Sequence, residues 1–428
     1  MALDRSKAPE LAEQTPDLSI YPTVLTSSFG TRVHLYPNSI QPIIRLEVVF
    51  KAGKWYQDKP GVASLTAKML KEGTTSHTAK QLADIIDFYG ASLEITHGFD
   101  RSTLTLYCLS KFLPELLPIV FEILEHPSFP KEEFELLKQR VIQTLAIDKQ
   151  KNGYLATELF TSSIYGADHP YSTVISEEEI KALTLEDIKA FYKTRYDINS
   201  SEVFVTGDFD EEGNNLLKGF LDQTQRNTGL NNVEKQYSKK EATASKKMER
   251  SSNTMQAAIR VGRTLPSPEH PDFPLLYLAN HALGGYFGSR LMKNIREEKG
   301  FTYGIHSSIS IKEHGTLISI GTDIKGDKIE ETIREIEKEI EVLQRELLSE
   351  EELNTIKKHL AGKFISDNST IFDKMDRYRS SVLLGLPPNF FTNLQNKMQQ
   401  ASREEVQTVA KEYLSTETLH IVAVGGTQ

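Results

Sequence analysis

Two sets of residues in this 428-residue chain are chemically suggestive: an arginine and a tyrosine within one short stretch, and eleven scattered histidines. The stretch is Leu283-Gly-Gly-Tyr-Phe-Gly-Ser-Arg-Leu-Met-Lys-Asn-Ile-Arg-Glu-Glu-Lys-Gly-Phe-Thr-Tyr-Gly304. Its pattern predicts a glycine-containing turn and a helix from about Ser289 to Lys299, which Gly300 stops before an aromatic strand. Arg296 falls in the last turns of that helix and Tyr303 at the start of the strand, so both can project toward one point across Gly300. A guanidinium there binds a backbone carbonyl or a carboxylate, and a phenol donates to a developing oxyanion. The same residues also suit an arginine paired with neighbouring acids on a solvated helix face and a tyrosine half in a core. Composition alone favours this second reading.

The histidines argue against a local metal site. The closest two, His306 and His314, are eight residues apart, and none has the i, i+3 or i, i+4 spacing that puts two imidazoles on one helical face. Only a site assembled from distant segments is left. The single cysteine, Cys108, permits neither an intrachain disulfide nor a cysteine-based zinc site. There is no G-x-x-x-x-G-K-[ST] loop, and Leu283 to Gly288 does not follow a strand that would feed a phosphate-binding helix, which excludes a kinase or NTPase. No G-x-S-x-G elbow offers a serine nucleophile.

The elements that must position these groups belong to an ordinary soluble chain. Fifty Lys and Arg against 59 Asp and Glu give a net charge of −9, with 39% hydrophobic and 25% charged residues. This balance argues against a nucleic-acid partner. The length points to two or more domains. No apolar run reaches transmembrane length, so no membrane partner is expected. The first residues lack a secretory signal, so the expected location is cytoplasmic, or periplasmic if a signal had been removed from a precursor.

Residues 1 to 20 read as a polar surface arm. Thr31 to Tyr36 and Ile43 to Phe50 read as strands forming a hairpin-like pair across Pro37-Asn38-Ser39. Helices are predicted over Gly61 to Leu70, Ala79 to Tyr89, Phe112 to Leu124, Lys131 to Gln150 and Leu155 to Tyr165, with a strand over Ser102 to Tyr107. A Thr184-capped helix and the strand Ser201 to Gly207 follow, and this unit recurs as Ser402 to Ala410 and Leu419 to Gly425. The offset is constant: Thr184 to Ser402 and Gly207 to Gly425 are each 218 positions apart. Such an internal repeat implies two homologous halves, placed at 1–230 and 231–428, with the polar stretch Asp222 to Asn253 as an exposed linker. The predicted class is α+β, each half being a mostly antiparallel sheet packed with helices.

A series of short motifs adds to this reading. Phe50-Lys-Ala-Gly53, Gly61-Val-Ala63, Met69-Leu-Lys-Glu-Gly-Thr74 and Tyr165-Gly-Ala-Asp-His-Pro-Tyr171 lie in the first half, and Ser289-Arg-Leu291 with Arg296-Glu-Glu-Lys-Gly-Phe-Thr-Tyr303 in the second. In order and spacing the chain resembles the pitrilysin/insulinase-like M16 peptidase family in its short two-domain form. Active members of that family carry H-x-x-E-H on the first helix, with two His zinc ligands and a Glu base. Here the stretch reads Ser64-Leu-Thr-Ala-Lys68. Ser64 and Lys68 replace the ligands, Ala67 replaces the base, and Thr144 stands about where a third, glutamate ligand would be. The resemblance therefore implies that this chain holds no metal and is inactive alone.

What the resemblance keeps is the Arg/Tyr pair, Arg296 and Tyr303, which in the family holds the substrate backbone near the zinc. It implies the non-zinc subunit of a heterodimeric metallopeptidase, acting on peptide substrates with a partner that carries H-x-x-E-H and the zinc. Gly284, Gly285 and Gly288 would form a flexible substrate loop. The alternative is a catalytically inactive scaffold or peptide-binding homologue.

Overall fold

The computed structural model describes residues 20–222, Tyr237 and residues 243–426. The predicted N-terminal arm therefore lies outside the described residues, apart from Ile20. The first half opens with β1 (Thr23–Thr26), β2 (Arg32–Pro37) and β3 (Ile43–Phe50), followed by α1 (Val62–Met69) and α2 (Ala79–Phe88). The hairpin β4 (Ser92–His97) and β5 (Ser102–Leu109) leads into α3 (Leu113–Glu125), α4 (Lys131–Asp148) and α5 (Asn152–Tyr165). Then come α6 (Glu177–Ala182), α7 (Leu185–Arg195), β6 (Glu202–Gly207) and α8 (Glu211–Asp222).

The second half begins with β7 (Lys246–Glu249), β8 (Gln256–Leu265) and α9 (Phe273–Gly284). A π-helical segment, Met292–Glu298, precedes the hairpin β9 (Thr302–Lys312) and β10 (Gly315–Lys325). Five helices follow: α10 (Ile329–Arg345), α11 (Glu350–Ser366), α12 (Ile371–Leu383), α13 (Phe390–Gln400) and α14 (Arg403–Tyr413), and β11 (His420–Gly425) is the last element described. No helix among the described residues is long and apolar enough to cross a membrane.

The strands form two mixed sheets, ordered β1-β2-β6-β3-β5-β4 and β7-β11-β8-β10-β9. Pairing is antiparallel except between β2 and β6 and between β11 and β7. The expected hairpin of β2 and β3 does not form, because β6 inserts between them, pairing Val33 with Val203 on one side and Leu46 with Val205 on the other. β3 and β6 are buried along almost their whole length, on both faces. Such strands suit a sheet interior covered on both faces, not a hairpin exposed on one. The expected linker is corrected in part: Asp222 ends α8 and β7 lies inside the stretch, pairing with the final strand.

The repeat appears as matched geometry. Thr184 and Ser402 each cap their helix with a capping box, accepting from Asp187 N and Glu405 N. Gly207 and Gly425, at the ends of the equivalent strands, both adopt positive φ, 130° and 103°, a backbone region that favours glycine. The halves also exchange helices. The α5 helix packs on β8 and β11, where Phe160 and Ile164 join Ala258, Val422 and Val424 in one apolar cluster. In return α12 packs on β6, where Met375 meets Val49 and Phe204.

Candidate functional site

Arg296 lies in the π-helical segment and Tyr303 is the second residue of β9. Gly300 between them takes φ +64°, so the chain reverses there at no steric penalty. The reversal lets Arg296 Nε donate to the Tyr303 carbonyl oxygen at 3.0 Å. The guanidinium also lies over the Phe287 ring, 4.6 Å from its centroid, and reaches Glu297 at 3.8 Å. Tyr303 is 100% exposed. Its phenol is therefore presented outward from an edge strand, beside a guanidinium held by a ring and a carbonyl. The surface ion pair with Glu297 exists, whereas the half-buried tyrosine of the alternative reading does not.

The glycine stretch is more ordered than a flexible loop. Gly284 is the last residue of α9 and Gly285 its cap. A Cβ on Gly284 would sit 2.7 Å from Ser307 Cβ, and one on Gly285 would sit 2.7 Å from His281 Cα. Gly284 lets α9 approach β9 closely and Gly285 lets the cap fold tightly against His281 of α9 itself, so the loop expectation is corrected for both. Gly288 lies in the short turn after α9, against the Tyr286 ring.

In the first half, Ser64, Ala67 and Lys68 all lie on α1 and Thr144 on α4, two helices in contact. Ala67 is fully buried, and the Thr144 hydroxyl donates to the Arg140 carbonyl at 2.9 Å. Arg140 lies close enough to Lys68 to help depress its pKa, after burial as the larger cause. A hydroxyl, a methyl, an ammonium and another hydroxyl, with a guanidinium nearby, offer no anionic or imidazole donor set. Zinc does not fit here. Among the described residues there is no group of three or more His, Cys, Asp or Glu that could hold a metal ion. One distant histidine pair does meet, His281 Nε2 and His359 Nδ1 at 2.9 Å, with His281 stacked on Tyr286 and His359 tilted against the same ring.

The junction of the halves was not read from the sequence. The tip of the β9–β10 hairpin docks into the first half through three consecutive side chains. Lys312 Nζ lies 4.0 Å from the Phe99 centroid and 4.4 Å from that of Tyr171. Glu313 accepts from Arg101 through both oxygens, and His314 stacks on Trp55 at 3.7 Å. Tyr171 donates to Asp100 Oδ1 at 2.7 Å and accepts from the His314 N–H at 3.0 Å. Burial, and secondarily Lys54, hold the Lys312 pKa down at about 8 despite the opposing field of Asp100. Tyr165 and Tyr171, quoted above as motif residues, are the sequence signal for this box.

Both halves match family models. Residues 32–174 match the model described as Insulinase (Peptidase family M16), and residues 182–360 the one described as Peptidase M16 inactive domain. The chain belongs to the M16 peptidase family. The first matched region contains the degenerate motif and the second contains Arg296 and Tyr303. The M16 chain is 25% identical over 399 residues to the "Non-peptidase homolog YmxG" of Helicobacter pylori, covering 90% of each chain. It is 20% identical over 397 residues to the "Uncharacterized zinc protease YmxG" of Bacillus subtilis, covering 90% of this chain and 94% of that one. Its fold is that of a solved peptidase M16 inactive domain from Pseudomonas fluorescens, with a TM-score of 0.85, 22% identity, and coverage of 96% and 99%.

Proposed function

We propose that this M16 chain is the non-zinc subunit of a heterodimeric metallopeptidase and lends Arg296 and Tyr303 to the H-x-x-E-H site of a partner chain. The observation that carries the reading is the Tyr303 phenol, fully exposed beside a guanidinium anchored to its own carbonyl. A phenol packed into its own fold could not reach a second chain's substrate. In the complex Tyr303 donates to the oxyanion of the tetrahedral intermediate and Arg296 holds the peptide backbone, both placed before the reaction begins. The partner supplies zinc and the base, which Ser64, Ala67 and Lys68 do not. The chain is thus inactive alone and contributes half of a site. The domain boundary near 230 separates the half that has lost its metal from the half that keeps the pair.

A pull-down of the tagged chain from its native extract, with zinc and peptidase activity measured in the eluate, tests this. A co-eluting M16 chain with zinc, and activity only when both chains are present, is expected. A lone inactive chain would favour the second reading, a scaffold or peptide-binding homologue. The naming of the Helicobacter pylori relative as a non-peptidase homologue supports that reading.

A further inference from the structure

Strand alternation alone would not bring Tyr303 to solvent. In β9 the side chains of Ile305 and Ser307 are buried, Ser307 against Asn280 and Gly284 of α9, and a period of two would put Tyr303 on that same face. The register of the β9–β10 ladder places it elsewhere. Thr322 faces Ile305 and Ile324 faces Thr302, so Tyr303 and Gly304 together oppose Asp323 alone. This is a β-bulge in an edge strand. The extra residue moves Tyr303 from the covered face to the open one, where Asp323 is also exposed. Sliding the strand by one residue would return the phenol to the core face.

A bulge interrupts the ladder and leaves main-chain groups that need other partners. Here two threonine hydroxyls and one guanidinium supply them. The Thr302 hydroxyl accepts from the Gly304 N–H at 3.1 Å and donates to the Asp323 carbonyl at 2.7 Å, tying the bulged pair to the single residue opposite. The Thr322 hydroxyl donates to the Gly304 carbonyl at 2.9 Å, its oxygen lying 3.0 Å from that of Thr302. Arg296 donates to the remaining carbonyl, that of Tyr303. Thr322 is only 3% exposed, so its hydroxyl makes this contact in place of water. Valine has nearly the shape of threonine and suits a strand as well, so strand propensity does not call for a hydroxyl at either position.

We propose that Thr302 and Thr322 are positioning residues for Tyr303, clamping the bulge that turns its phenol out of the fold. The use of that phenol in a partner's site rests on the function proposed above, whereas the clamp is a property of this chain alone. Two readouts separate them. In the full chain, labelling tyrosine at its carbonyl carbon and glycine at its nitrogen isolates the NMR signals of Gly90, Gly166 and Gly304, the glycines that follow a tyrosine. In the double variant Thr302→Val with Thr322→Val, the Gly304 amide should exchange with solvent about tenfold faster, the scale of one net hydrogen bond. Gly90 and Gly166, bonded to Asp87 and Ser162, should keep their rates, and the double serine variant should keep all three. In the complex with the zinc-bearing partner, the valine variant should lose about tenfold in kcat with little change in KM, as expected of a misplaced donor, and the serine variant should restore it. If the double variant does not fold, Thr302→Val alone, at a half-buried edge position, carries the same test. Unaltered Gly304 exchange in the valine variants would overturn the clamp. Unaltered kcat, in a complex that Tyr303→Phe impairs, would overturn the positioning role. Faster Gly304 exchange in a complex that neither Tyr303→Phe nor the valines impair would leave the clamp standing and overturn the function proposed above.

Discussion

Arg296 donates to the main-chain carbonyl of Tyr303 at 3.0 Å, so the guanidinium fixes the backbone of the residue whose side chain it stands beside. The phenol has 100% exposure and is oriented by its strand, not by packing. In the split site proposed above, this contact keeps the pair in shape without help from a partner chain.

The close approach of α9 to β9 supports that geometry. Gly284→Ala puts a methyl 2.7 Å from Ser307 Cβ and 2.8 Å from its nitrogen, behind the strand that carries Tyr303. Overpacking of this kind costs about 1–3 kcal/mol. The urea midpoint of the variant should fall accordingly, whereas Gly90→Ala, where a Cβ meets nothing but φ is +59°, probes backbone strain alone. An unchanged midpoint for Gly284→Ala would show that α9 can move away freely.

His97 makes acid stability a readout of the degenerate site. Burial first, then Lys68 and Lys54, hold its pKa down at about 4, below the usual histidine value of about 6.5. The folded state therefore keeps the ring neutral while the unfolded chain takes up a proton. Stability is fully present above the unfolded value and is lost as the pH falls from about 6.5 toward 4. His97→Gln should flatten the stability profile across that window. A profile of unchanged slope would mean that His97 titrates normally in the folded chain.

The docked hairpin tip can be followed optically, because Trp55 is the single tryptophan and its partner is His314. His314→Ala removes the stack, worth about 0.5–1.5 kcal/mol beyond area burial. Trp55 emission should change in intensity and shift to the red as water reaches the ring, and the melting temperature should fall. A spectrum identical to that of the wild type would show that the tip is not seated on Trp55 in solution.

Local signals were the legible ones. Thr184 and Ser402 announce their capping boxes within four residues, and the 218-residue offset between them exposes the duplication. Arg296 and Tyr303 can be paired because a single glycine reversal joins them. The place of β6 between β2 and β3 could not be read, since it depends on a strand about 160 residues away. Ser92 to His97 alternates like a strand but is short and follows a helix and a turn, so β4 was missed. Of the box around Lys312 only Tyr165 and Tyr171 stand out in the sequence: Trp55, Phe99 and Tyr171 meet within the first half, and Lys312 and His314 reach them only when the halves dock.

The most direct test of the split-site account is turnover by the complex of this chain with its zinc-bearing M16 partner, comparing wild type with Tyr303→Phe. The phenol is exposed and unpacked, so the variant should fold and assemble normally. Loss of one oxyanion donor should lower kcat by about 10²- to 10³-fold with little change in KM. A kcat equal to that of the wild type, in a complex that still contains both chains and zinc, would contradict the account.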